Sequence, residues 1–218
     1  MCIRDRIEVI YHGIDKRFKP SDNVEIKEIK LKYNLPDSYV LYVGTLAHPQ
    51  KNLVRLLRAF KKCFEKGIDT KLVLCGASGF QADMIYKEVE KLNLGNRIIA
   101  LGYVPDEDLP AIYSGARIFV FPSLYEGFGN PVLEAMACGT PVITSNSSSL
   151  KEISNGAALL VNPYSDEELK NAMFRLWHDE DLRRELIHKG KIWVQNFSWR
   201  SSALKLLRVI NMFDDSNK

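Results

Sequence analysis

EGFGNPVLEAMACGTPV, residues 126–142, reads as an apolar helix running into a strand, yet it opens on an acid, two glycines and an amide. Glycine is the costliest residue to order, so Gly127 and Gly129 so close together need a local reason. Asn130 is a good N-cap and Pro131 a natural first helical residue, which starts the helix there. Glu126, Gly127, Phe128 and Gly129 then form a loop between strand and helix, with free backbone N–H groups facing a cleft. The glycines let that backbone approach a ligand closely. Glu134 lies one position beyond the place of a capping-box acid, so capping alone does not account for it. Its plainer reading is a first-turn acid that gains roughly a few tenths of a kcal/mol from the helix dipole.

On either side, short apolar β-branched runs alternate with helical patterns. The strand candidates are YVLYVGT (39–45), KLVLCG (71–76), RIIALG (97–102), RIFVFP (117–122), PVITS (141–145) and AALLV (157–161). Nearly continuous apolarity is expected of parallel strands covered on both faces. Between them lie helical stretches at 52–67, 80–95, 106–115 and 131–139. Leu53, Leu56, Leu57 and Phe60 share one helical face, and Gly67 and Gly95 stand where helices stop. This alternation predicts βαβ units with right-handed crossovers, hence an α/β fold with a doubly wound, Rossmann-like parallel sheet. After residue 164 three helices follow, with capping-type starts at Ser165, Asp179 and Ser198. The last is amphipathic and carries Lys205 and Arg208. In the plainer reading it packs its apolar face on its own domain; in the alternative it lies on a membrane surface.

At 218 residues, 46% of them hydrophobic, the chain can bury a substantial core. Its 30 lysines and arginines against 27 acids leave a formal charge of only +3, which gives no case for nucleic-acid binding. No apolar run reaches the roughly 18 residues of a membrane helix, and no signal peptide is visible, so a soluble, cytoplasmic protein is expected. Peripheral association with the inner membrane face is left to the last helix. Cys2, Cys63, Cys75 and Cys138 lie far apart without zinc-like spacing. Cys75 and Cys138 sit in apolar stretches and read as core residues in a reducing compartment. MCIRDR, residues 1–6, is neither a targeting signal nor the start of an obvious element and is set aside as an artefact.

Open α/β sheets bind ligands outside the carboxyl ends of their strands. The dinucleotide fingerprint GxGxxG is absent; GASG at 76–79 is the nearest approach and lacks the spacing, which weakens a dehydrogenase reading. The loop after the first strand is GTLAHPQKN, 44–52. Gly44 lets the backbone turn, and Lys51 stands beside a helix N-terminus, where a cation is misplaced unless an anion joins it. A solvated lysine pointing away is the plainer account. Asp106, Glu107 and Asp108 imitate a DxD metal motif, but they follow a strand and open a helix, so they read as N-cap and first-turn acids, and no metal is expected. His12 reads as hinge packing or solvent, not as a catalyst.

These residues resemble the family-4 retaining glycosyltransferases of the GT-B fold. Glu126 and Glu134 match that family's two glutamates, seven residues apart, inside its EGFGxPxLEAMAxGxPV signature. The resemblance runs from about Tyr11 to Phe213 and takes in HGID, VGTL…KN, LGYVPDEDL, SSLKEI and ALLVNPYS. It implies that Glu126 contacts the donor sugar's hydroxyls, that Lys51 and the N–H groups around Phe128, Gly129 and Asn130 meet the diphosphate, and that Gly127 belongs to the same donor site. It further implies that Glu134 holds the ribose, that the backbone of Val104 meets the nucleobase, and that Gly44 and Thr45 line the donor site. Glu126 and Lys51 become the candidate catalytic groups. Thr45 and Gln50 occupy places where many members carry an arginine, so a second diphosphate-binding cation is missing from the pattern.

The resemblance implies the donor-binding half of a metal-independent, retaining glycosyltransferase that uses a UDP-, GDP- or ADP-linked sugar and needs no cofactor. Residues 1–15 are then an interdomain segment, 16–197 the Rossmann-like nucleotide-sugar-binding domain, and 198–218 a terminal helix and tail. An acceptor-binding N-terminal domain is the expected partner, without which the chain is inactive. Two alternatives stay open: a module that binds nucleotide sugars without transferring them, and an epimerase-type enzyme on the same fold.

Overall fold

The computed structural model describes residues 7–215, so residues 1–6, including Cys2, lie outside the described residues. Six strands form one sheet: β1 (Tyr39–Val43), β2 (Lys71–Cys75), β3 (Ile98–Gly102), β4 (Ile118–Phe121), β5 (Val142–Ser145) and β6 (Leu159–Val161). All pair in parallel, in the order β3-β2-β1-β4-β5-β6. Every residue of β1, β4 and β5 is buried, which requires cover on both faces. The edge strands β3 and β6 are only partly covered, as their single neighbours dictate.

Two sets of helices supply that cover. α2 (Leu53–Glu65) packs on α3 (Ala82–Lys91) and on α7 (Asp166–His178). α5 (Asn130–Ala137) packs on α4 (Leu109–Gly115), α6 (Ser148–Ser154) and α8 (Glu180–Trp193). Leu53, Leu56, Leu57 and Phe60 form the buried face of α2, as their spacing predicts. Ser165 and Asp179 cap α7 and α8 through the N–H groups of Glu168 and Leu182. Ser198 Oγ likewise accepts from Ser201 N at the start of α9 (Trp199–Asp215). The doubly wound Rossmann-like sheet is therefore the observed fold.

Several local expectations are corrected. α1 (Asn23–Lys32) precedes the first strand and carries a full capping box, with Asp22 accepting from Val24 and Glu25 N–H groups and Glu25 accepting from Asp22 N. α3 stops at Lys91, and Asn93, not Gly95, takes the left-handed turn after it at φ 53°. Asp108 stands at the N-cap of α4 without a capping hydrogen bond, and Asp106 and Glu107 lie in the turn before the helix, not in its first turn. The apolar face of α9 does not pack on the domain: Leu204, Leu206, Leu207 and Ile210 stay 47–54% exposed. No helix among the described residues is long and apolar enough to cross a membrane.

Candidate functional site

The strand order reverses between β1 and β4, and the loops that leave their carboxyl ends form the crevice where such sheets take ligands. These are the 44–52 and 122–130 loops, and they are laced together. Leu124 N donates to Gln50 O at 2.9 Å, and Gln50 Nε2 donates to Tyr125 O at 3.1 Å. Asn52, buried at the N-cap of α2, donates from Nδ2 to Pro122 O at 3.0 Å and to Pro163 O at 2.7 Å. Two loops held this way place their side chains against each other.

Lys51 and Glu126 are the result. Lys51 Nζ donates to Glu126 Oε1 at 2.7 Å, with the two side chains only 19% and 12% exposed. The solvated-lysine reading of Lys51 therefore falls. The cation the helix N-terminus would repel is held by a carboxylate from the neighbouring loop.

Gly129, not Asn130, occupies the N-cap of α5, at φ 106°, and the helix begins at Asn130. A residue with a side chain is strained there, and a Cβ would also stand 2.7 Å from Leu150 Cδ2 and 3.0 Å from Ile153 Cδ1 on α6. Gly129 thus answers to the backbone turn and to α6. Gly127 differs: a Cβ there would meet nothing within 4 Å, so its bare backbone faces open space. The serines after β5 fix this loop. Ser149 Oγ donates to Glu126 O at 2.9 Å and to Phe128 O at 2.8 Å, Ser147 Oγ donates to Leu124 O at 3.0 Å, and Glu126 N donates to Ser148 Oγ at 3.1 Å. Sequence reasoning gave these serines no role; their run at a helix start was the available signal.

With the helix starting at Asn130, Glu134 falls past the first turn, and the first-turn reading of it is corrected. Tyr113 Oη, on buried α4, donates to Glu134 Oε2 at 2.9 Å. Burial pushes the Glu134 carboxyl above the usual carboxylate range, against the pull of the Tyr113 hydrogen bond; nearby Asp106 pushes up and Arg17 pulls down. A half-buried acid held at such a cost to its ionisation, on the helix that leaves the crevice, makes Glu134 a candidate site residue.

The other candidate residues line the same end of the sheet. Gly44 and the exposed Thr45 leave β1, and Val104, buried, follows β3 by two residues. Asp106 and Asp108 of the DED run are engaged by cations, Arg17 with Asp106 at 3.2 Å and Lys32 with Asp108 at 2.6 Å. His12 is exposed yet lies between two rings, tilted against Phe128 at 4.7 Å and stacked on Trp199 at 5.8 Å, so it combines the packing and solvent readings. Cys63, Cys75 and Cys138 are free and buried, and burial pushes each thiol up to about 12.

The arrangement gathers a paired cation and acid, a helix N-terminus, a loop of open backbone and a second acid behind it. Among known proteins, residues 23–193 match the family of glycosyl transferases group 1. The chain is 35% identical to O-antigen chain mannosyltransferase B of Escherichia coli over 210 residues, covering 95% of this chain and 55% of that protein. It superposes on sucrose-phosphate synthase from Thermosynechococcus elongatus with a TM-score of 0.82 at 32% identity, over 96% of this chain and 53% of that one. Anabaena Alr3699/HepE, solved in complex with UDP-glucose, shares the fold with a TM-score of 0.82 at 21% identity, over 95% of this chain and 57% of that one. The chain thus spans about half the length of these proteins.

Proposed function

The chain belongs to the group 1 glycosyl transferases, and from that we propose that it is the donor-binding half of a retaining, metal-independent glycosyltransferase that uses a nucleoside diphosphate sugar. The observation that carries this reading is the Lys51–Glu126 pair at the reversal of strand order, beside the N-terminus of α5. In this reading the diphosphate lies on the N–H groups of Gly127–Asn130 and draws Lys51. Glu126 takes hydroxyls of the sugar, Glu134 takes the ribose 2′ and 3′ hydroxyls, and the Val104 backbone meets the base. Gly44 and Thr45 border the phosphates. Mannosyl is the first sugar to test, because the curated relative is named for it.

The chemistry follows from charge. The bond between C1 of the sugar and the diphosphate oxygen breaks with its electron pair moving to the phosphate. The acceptor hydroxyl oxygen forms the new bond to C1 on the same face, and its proton passes to the departing phosphate oxygen. Negative charge therefore grows on the leaving nucleotide. A cation about 4 Å away is worth on the order of 4 kcal/mol at an effective dielectric of about 20, before desolvation. The α5 N-terminus adds roughly 0.3–1 kcal/mol. Lys51 and the helix supply this charge, while the two aspartates of the DED run, Asp106 and Asp108, pair with Arg17 and Lys32.

The acceptor, in this reading, sits on a second domain facing the crevice. Aligning donor and acceptor with water excluded is worth roughly 7–11 kcal/mol of barrier, and one wall does not provide it. The test is a panel of UDP, GDP and ADP titrated calorimetrically into the chain, followed by a transfer assay with their sugars. Weak binding of one nucleotide without transfer is expected. Robust transfer by these 218 residues would refute the half-site reading, and absence of binding by any of the three would refute the donor site.

A further inference from the structure

We propose that residues 7–15 and α9 form one strap that sets the 126–130 loop through Phe128, with Tyr11 and His12 as its positioning residues. The strap is a unit because α9 and the residues just before it hold the segment along its length. Ile14 N donates to Phe197 O at 3.1 Å, Ser202 Oγ to Tyr11 O at 2.5 Å, and Lys205 Nζ to Val9 O at 3.3 Å, with Lys205 also 3.3 Å from Glu8. At Gly13 the two pieces touch so closely that a Cβ would lie 2.1 Å from Trp199 N. Any side chain there forces the segment off the helix.

The strap meets the loop through rings. Phe128 has His12 at 4.7 Å, Tyr11 at 6.1 Å and Phe197 at 6.1 Å, and His12 stacks on Trp199 on its other side. Tyr11 Oη also donates to Glu152 on α6, the helix whose Ser149 holds the carbonyls of Glu126 and Phe128. Strap and α6 thus grip the loop from two directions. A cavity of about 470 Å³ opens between them, lined by Tyr11, His12, Gly127, Phe128, Ser149 and Glu152. Aromatic pairs of this kind add attraction beyond burial and bias a loop that has no helix or strand ladder of its own. Whatever shifts α9 therefore shifts Phe128, and with it the backbone proposed to meet the diphosphate.

The nucleotide arm of the test rests on the proposed function; the exchange arm does not. Amide hydrogen exchange at Glu126 and Val132, whose N–H groups bond to Ser148 Oγ and Gly129 O, is measured in the unaltered chain and in His12→Ala, Gly13→Ala and His12→Phe. Exchange about tenfold faster in the first two variants, restored by His12→Phe, is expected, while unchanged exchange overturns the strap. In the second arm, 5-fluorotryptophan-labelled chain is titrated with UDP and GDP, its Trp199 line assigned by Trp199→Phe. The Trp199 ¹⁹F line should move with the calorimetric midpoint, though Trp199 touches no proposed ligand atom. A fixed Trp199 line while calorimetry registers binding overturns the coupling. If neither binds, ADP takes their place in this arm; if none of the three binds, the donor reading fails and the exchange result alone decides the strap.

Discussion

Lys51 Nζ donates to Glu126 Oε1 across 2.7 Å, and this one bond joins the loop after β1 to the loop after β4. Each residue answers the other's problem. The lysine stands at the positive end of α2, and the acid stands where open backbone N–H groups gather at the start of α5. In the proposed reading, a diphosphate arriving there would compete with Glu126 for the ammonium and leave the carboxylate free for sugar hydroxyls.

That competition predicts opposite effects on two ligands. Glu126→Gln should tighten a bare nucleoside diphosphate, because Lys51 no longer has a carboxylate to leave. It should weaken the corresponding nucleotide sugar relative to the diphosphate by about tenfold or more, since a charged hydrogen bond is worth roughly 1.5–3 kcal/mol. The ratio of the two calorimetric dissociation constants is the readout. An unchanged ratio removes Glu126 from the sugar.

Lys51→Ala should act through charge alone. It should weaken a nucleoside diphosphate far more than the nucleoside, and the gap should narrow as salt rises. Equal losses for both ligands would point to a packing defect at the two loops. EDTA should alter neither affinity, because Lys51 and the helix end carry the phosphate charge in this account.

Glu134 predicts a trade between stability and binding. Its carboxyl is raised in the fold by burial, so within the window between its unfolded and folded values the folded chain binds more proton than the unfolded chain. Stability attributable to this group is therefore present below the ordinary carboxylate range and lost as pH rises through the raised value. Glu134→Gln should raise the neutral-pH Tm, by roughly 2–4 °C per kcal/mol recovered. The same change should weaken nucleoside diphosphate binding about tenfold or more through the lost charged hydrogen bond. Binding to the unaltered chain should strengthen with pH across that window, as ribose hydroxyls favour the ionised acid. A variant that gains stability and keeps full affinity would make Glu134 a merely buried acid.

The sheet was legible because its signals are long and repeated: six apolar runs at even pitch became six parallel strands. α1 was not, since it buries only Ile29 and so carries almost no apolar periodicity, although Asp22 and Glu25 had the spacing of a capping box. α9 misled in the other direction. Its amphipathic pattern is real, yet sequence cannot say which surface the apolar face meets, and in this chain that face stays exposed. At the candidate site, Glu126, Glu134 and Lys51 were singled out by type and position together with the family resemblance. The pairing of Lys51 with Glu126, the Tyr113 bond to Glu134 and the serine cradle of the loop were not, because each joins residues from different loops or helices.

Most direct is a crystal structure of the chain soaked with the nucleoside diphosphate that binds best. The account predicts a diphosphate against the N–H groups of Gly127–Asn130 with Lys51 turned toward it, and a ribose on Glu134. Nucleotide found elsewhere on the surface, with the Lys51–Glu126 bond intact and Glu134 still held only by Tyr113, would contradict it.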